Sequence, residues 1–165
     1  MALKDLTTAE IAALSNSAVA AITAGQMTTL SAEQVAAFTA SQFPSLSIGA
    51  ISGLNASHMA VLSNAILSGL TVAQAGALRS SQIAALSPSQ LASITVQDLQ
   101  ALSGLAAKGI NAADIGAMSD SQVAALRSAG IAQLETAAIA ALSASQLQAM
   151  TSTQFAGLTT AQVDG

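Results

Sequence analysis

The chain has no cysteine, tryptophan or tyrosine, and only 7% of its 165 residues are charged. Each shortage removes a class of function. Without cysteine there are no disulfides, no thiolate chemistry and no cysteine–zinc sites, an absence that fits a secreted protein avoiding thiols. Four Lys and Arg residues cannot form a nucleic-acid footprint, and the net charge of −4 is too small for an acidic tail. Long apolar runs are also missing. Ser, Thr, Gln or Asn interrupts the apolar residues every few positions, whereas a spanning helix needs about 20 nearly unbroken ones. Asp5 and Glu10 lie where a signal peptide would carry its apolar core, so no export segment is expected in this stretch.

What is present is a period of eight. The series Leu6, Leu14, Ile22, Leu30 continues in steps of eight to Leu158 through twenty positions, none of them polar. A second series starts at Ile11 and runs through Val19, Met27 and Val35 to Phe155 and Val163, with only Ala75 and Ala107 small. Self-similarity at a fixed period marks a repeat architecture and outranks any local motif. A continuous helix cannot carry this pattern, because eight residues overshoot two helical turns by about 80°. A strand cannot either: the two series are five and three residues apart, which puts them on opposite faces of a period-two ladder.

The residue after each core Leu explains the period. It is Ser or Thr at fifteen of twenty places, including Ser15, Thr23, Ser31, Ser87 and Ser143, and Asn55 and Asn111 add two more caps. Three residues later the commonest residue is Gln, as at Gln26, Gln34, Gln74, Gln90 and Gln154. Ser/Thr-x-x-Gln is a capping box, and the apolar residues flanking it occupy the positions of a hydrophobic staple. Each octad therefore encodes one helix start. The expected fold is all-α: a solenoid of helices one to two turns long, one per octad, with residues 1–165 forming a single array of about twenty octads. Helices this short are unstable alone, so stacking of neighbours must hold them. Small pairs such as Ala12-Ala13 and Ala84-Ala85 should allow close approach. Neither end of the sequence carries a polar capping repeat, as isolated solenoids require, and the expectation is a segment of a longer array.

Irregular octads carry their own expectations. Arg79, Arg127 and Glu135 occupy cap positions without being good caps, so those junctions should be weaker. Pro88 falls at the first helical position, where proline is favoured, but Pro44 should distort its octad. The stretch from Ser47 to Leu70 has Ala50, His58 and Ile66 in the Gln position and contains Gly49, Gly53 and Gly69, so looser or bent stacking is expected there. Ala107 and Gly109 mark a second expected soft spot, since glycine often ends a helix.

Runs such as Leu30-Ser-Ala-Glu-Gln-Val-Ala-Ala-Phe-Thr39 and Leu142-Ser-Ala-Ser-Gln-Leu-Gln-Ala-Met-Thr151 resemble the octapeptide repeats of very large repetitive bacterial proteins described as adhesin-like or haem-utilisation-like. The resemblance covers nearly the whole chain. It implies an extracellular or cell-surface location and a role as an array.

No catalytic, metal-binding or cofactor-binding set is expected. His58 is the only histidine, and a lone His satisfies no site geometry, so it reads as a solvent-facing polar residue. Asp98, Asp114 and Asp120 form no Asp-x-Asp loop and read as solvated carboxylates. Gly104 and Gly109 have the spacing of phosphate-loop glycines, but Ile110-Asn111 follows where Lys-Ser/Thr is required. Asn55-Ala56-Ser57 matches a glycosylation pattern, yet Asn55 is more simply a cap. Met27, Met59, Met118 and Met150 lie on the core series and read as fillers, and Phe38, Phe43 and Phe155 lie there too. No enzyme is expected. The first functional reading is a scaffold or spacer whose partners are neighbouring repeats of the same or identical chains, with end-to-end homo-oligomers possible and neither nucleic-acid binding nor membrane insertion. The alternative is a binding module for protein, glycan or an ordered surface.

Overall fold

The structure is a computed structural model that describes residues 2–164. Among the described residues there are nineteen α-helices of four to six residues and two 3-10 turns, Leu3–Asp5 and Phe43–Ser45. Phe43–Ser45 stands where one octad would have placed its helix, so every octad from Leu6 onward yields one helical element.

Local geometry follows the capping box. The hydroxyl of Ser31 accepts the Gln34 N–H at 3.2 Å, and the Gln34 side-chain oxygen accepts the Ser31 N–H at 2.8 Å. The box satisfies two backbone groups that a helix start otherwise leaves without partners. Arg79, Arg127 and Glu135 make no side-chain cap bond, as their chemistry predicts. No helix ends on a left-handed residue: no described residue has a positive φ, and the C-cap glycines Gly53, Gly69 and Gly157 have negative φ. Termination comes from two successive extended residues, the core Leu and the cap. At one junction these are Leu126 (φ −63°, ψ 134°) and Arg127 (φ −66°, ψ 149°).

The helices wind into a solenoid. Ala32–Ala36 packs on Ala56–Ala60, Pro88–Leu91 on Ala112–Ala117, and Asp120–Ala125 on Ala144–Ala149. Each helix thus meets the one three octads further on, and a turn of the superhelix holds between three and four octads. Both apolar series face inward and form one continuous core, in which Ile51, Leu54, Met59, Ile83, Leu91 and Ile94 are fully buried. The four core methionines are buried as expected.

Four expectations meet the structure differently. Pro44 does distort its octad, converting the helix to a 3-10 turn, but Phe43 keeps its place in the core at 0% exposure. The stretch from Ser47 to Leu70 is not loose: Ile48–Ser52, Ala56–Ala60 and Asn64–Ser68 are regular helices. A Cβ on Gly53 would sit 2.5 Å from the Ala24 carbonyl oxygen, so this glycine marks a close approach. Gly109 is likewise no soft spot, because a Cβ there would overlap the Ser80 carbonyl oxygen and reach within 2.8 Å of the Ile83 Cβ. Both glycines are the last residue of their octad and face the second residue after the core Leu three octads earlier. The physical reason is backbone proximity between turns, not left-handed dihedrals. Phe155, finally, lies on the core series but is 46% exposed. Leu147 and Val163, one octad to either side on the same series, are exposed with it.

Candidate functional site

The feature that organises the molecule lies between turns. Gln42 illustrates it. Its side-chain oxygen accepts the Thr39 N–H at 2.8 Å, closing the local box, while its amide nitrogen donates to the carbonyls of Ile11 (3.1 Å), Ala12 (3.1 Å) and Leu14 (2.8 Å). Those carbonyls belong to the previous turn. The same side chain therefore starts its own helix and takes up carbonyls that end another.

The arrangement recurs with a fixed offset. Gln74, Gln82, Gln90, Gln146, Gln154 and Gln162 each donate to the carbonyls 28 and 31 residues earlier, and Gln122 to those 28 and 30 earlier. For Gln90 these are Leu62 at 2.8 Å and Met59 at 3.1 Å. The glutamines are buried, and a buried amide is tolerated because both of its ends are satisfied. Each such bond contributes about 0.5–1.5 kcal/mol, and leaving the buried partners unmatched costs about 1–3 kcal/mol.

His58 takes part in the same ladder. It is 1% exposed, not solvent-facing. Its Nδ1 accepts the Asn55 N–H at 3.3 Å, and its Nε2 lies 3.0 Å from the carbonyl oxygen of Leu30, again 28 residues back. Nε2 therefore carries the proton and donates. A neutral imidazole has one acceptor and one donor on opposite sides, which is what the glutamine amide supplies elsewhere. Asn55 is the cap of this helix, its side-chain oxygen accepting the His58 N–H at 3.0 Å.

The two acidic residues in the Gln position are also inside. Asp98 is 2% exposed and Asp114 0%, so the reading of solvated carboxylates fails for both: from Gln42 onward every residue in this position is buried against the preceding turn. Thr95 donates its hydroxyl to Asp98 at 2.6 Å. Asp114 accepts the Asn111 N–H through Oδ2 at 2.9 Å, while its Oδ1 is buried without a hydrogen-bond partner. Burial pushes the Asp114 carboxyl above its ordinary value, against the opposing pull of the Asn111 N–H. The reverse holds at Glu10, the acid in the first turn, which has no preceding helix over it. There the Thr7 backbone N–H and then the Thr7 hydroxyl hold the carboxyl below its ordinary value. Asp120 is exposed and accepts the Ser145 hydroxyl at 3.1 Å.

Two poor caps contribute across turns instead. Arg79 donates to the Ser52 carbonyl, and Arg127 donates through Nε to the Gln100 carbonyl at 2.6 Å. Both carbonyls lie at helix C-terminal ends, where a cation is favoured by the helix dipole.

Among the described residues no group of three or more His, Asp or Glu side chains could hold a metal ion, and no helix is long and apolar enough to cross a membrane. A concavity of about 480 Å³ is lined by Ala2, Leu3, Lys4, Thr23, Gly25, Gln26 and Thr29, with Lys4 its one charged group. It gathers no acid–base pair and no nucleophile.

One helix per octad, a shared core and a ladder between turns define a helical repeat solenoid. Residues 131–165 match the model of a family described as the ALTTAQ repeat. Read as residues, those letters differ from Gly157-Leu-Thr-Thr-Ala-Gln162 only at Gly157. They span the end of one octad and the capping box of the next. Neither a curated protein nor a solved structure matches the chain.

Proposed function

We propose that this chain is a structural repeat scaffold, acting as a spacer within a large surface or secreted protein. One observation carries the reading: the ladder is addressed to main-chain carbonyls. A Gln donor 28 residues on bonds the core carbonyl whether that residue is Leu62, Ile94 or Leu126. Turns joined through backbone can be repeated without limit on sequence, and stability then accumulates through nearest neighbours. The exposed residues Leu147, Phe155 and Val163 occupy positions that elsewhere in the array are covered by a following turn. A further turn of the same repeat offers the right cover, whether it follows in the same array or comes from an identical chain. Surface or extracellular placement rests on the resemblance of the octads.

The test is small-angle X-ray scattering over a concentration series, with the Phe155→Asp variant as control. The reading expects a rod of constant cross-section that lengthens with concentration, and a variant that stays short. A particle of fixed length in both proteins would remove end-to-end association.

A second reading, a binding module, has one observation in its favour. Ile48 and Val72 are 53% and 55% exposed and sit on helices that pack together, Ile48–Ser52 and Val72–Gly76. Exposed apolar residues on neighbouring helices are a common mark of interaction sites. If Ile48→Ser with Val72→Ser abolishes retention on immobilised glycan or protein arrays while the fold persists, this reading gains over the spacer.

A further inference from the structure

We propose that Asp114 is a pH-sensitive latch in the inter-turn seam: its neutral carboxyl is accommodated between turns, and its ionised form loosens them at that level. The geometry comes from the ladder. Asp114 stands in the Gln position, where the carbonyls 28 and 31 residues back are those of Leu86 and Ile83, both buried core residues. A glutamine there would donate to them. An ionised carboxylate brings only acceptors to a wall of acceptors. The side chain is fully buried, and Oδ1 has no partner to offset its desolvation.

Among the described residues, Arg79, which caps Ser80–Ile83, is engaged by the Ser52 carbonyl, and the helices packed on the group bring no cation to it. The helix Ala112–Ala117 packs on Pro88–Leu91 and Thr136–Ala140, and the one ionisable residue on or capping those helices is Glu135, which is exposed and of the same sign. Lys108, in the preceding octad, is exposed. Asp98 differs in receiving the Thr95 hydroxyl. Burial favours the neutral acid at Asp114. The folded chain therefore retains a proton that the unfolded chain releases near pH 3.9. The stability contributed is fully present below that value and is lost as pH rises through the folded titration point. Glu10 and Glu33, both lowered and fully exposed at helix starts, have the opposite sign.

The experiment compares the full chain with Asp114→Asn and Asp114→Gln by urea unfolding and by hydrogen exchange between pH 4 and pH 7, corrected for intrinsic exchange rates. Asn is a permanently neutral isostere, and Gln is the commonest residue at this position. The latch predicts that the wild type loses stability relative to both variants as pH rises. It also predicts that exchange in residues 83–92 and 112–118 accelerates by up to about tenfold per pH unit from the unfolded value near pH 3.9 to the folded titration point, and levels off above it, in the wild type alone. Parallel pH profiles in the wild type and Asp114→Gln overturn the proposal, whatever Asp114→Asn does. So does acceleration that appears equally in octads remote from Asp114.

Discussion

Two stretches of the array join their turns differently. From Thr71 to Ser93 the inward polar position is Gln at every octad, and Gln74, Gln82 and Gln90 each bridge to the turn before. From Thr95 to Ala141 the same position holds Asp98, Ala106, Asp114, Gln122, Gly130 and Ala138, and only Gln122 bridges. In that second stretch small residues close the gap. A Cβ on Gly104 would lie 2.9 Å from the Ala129 carbonyl oxygen, and one on Gly130 would lie 3.1 Å from the Ala107 Cβ. A turn can therefore be held by a long side chain reaching carbonyls, or by backbones brought close enough that no long side chain fits. The apolar core is common to both stretches, so the seam is where they should part under perturbation.

The largest effect should come from the shared core. Leu86→Asp buries a charge without a partner between turns and should cost more than about 4 kcal/mol; loss of helical circular dichroism or a collapsed melting transition reads it. Next is the close-packed stretch. Gly109→Ala puts a methyl into the Ser80 carbonyl and should cost about 1–3 kcal/mol, measured by urea unfolding, whereas Gly116→Ala, with nothing within 4 Å, should stabilise by up to about 1 kcal/mol. In the laddered stretch, Ser87→Ala removes the hydroxyl cap of Pro88–Leu91 and should cost about 1 kcal/mol. Smallest is His58→Gln, which swaps one donor–acceptor pair for another and should stay within about 0.5 kcal/mol in thermal melts. A large loss there would mean that the imidazole is held by more than its two ladder bonds.

Much of this was legible in the residues alone. The octad, the helix per octad, the cap at Ser or Thr and the two inward series follow from local chemistry and survive in the structure. The inter-turn seam was not legible, because its partners are 28 to 31 residues apart and that distance depends on how many octads complete a turn. The same ignorance made Gly53 and Gly109 look like weak points when they are contact points, and made His58, Asp98 and Asp114 look solvated. One signal was available. A capping box accepts Glu as readily as Gln, and a helix start favours the acid. Yet Glu fills the position only at Glu10, in the first turn. A preference for the amide over the acid says that the far side of the side chain must donate. Phe155 misled for a related reason: its series is buried only where a further turn covers it.

That preference supplies the most direct measurement, the unfolding free energy of Gln90→Glu at pH 7 beside that of the wild type. Glutamate can still accept the Ser87 N–H, as Glu10 does from Thr7, but it cannot donate to Met59 and Leu62. If the seam holds the turns together, the variant loses about 1–3 kcal/mol or more, and exchange rises at the Leu62 and Gln90 levels together. A variant as stable as the wild type would contradict the account and leave glutamine with no role beyond starting its own helix.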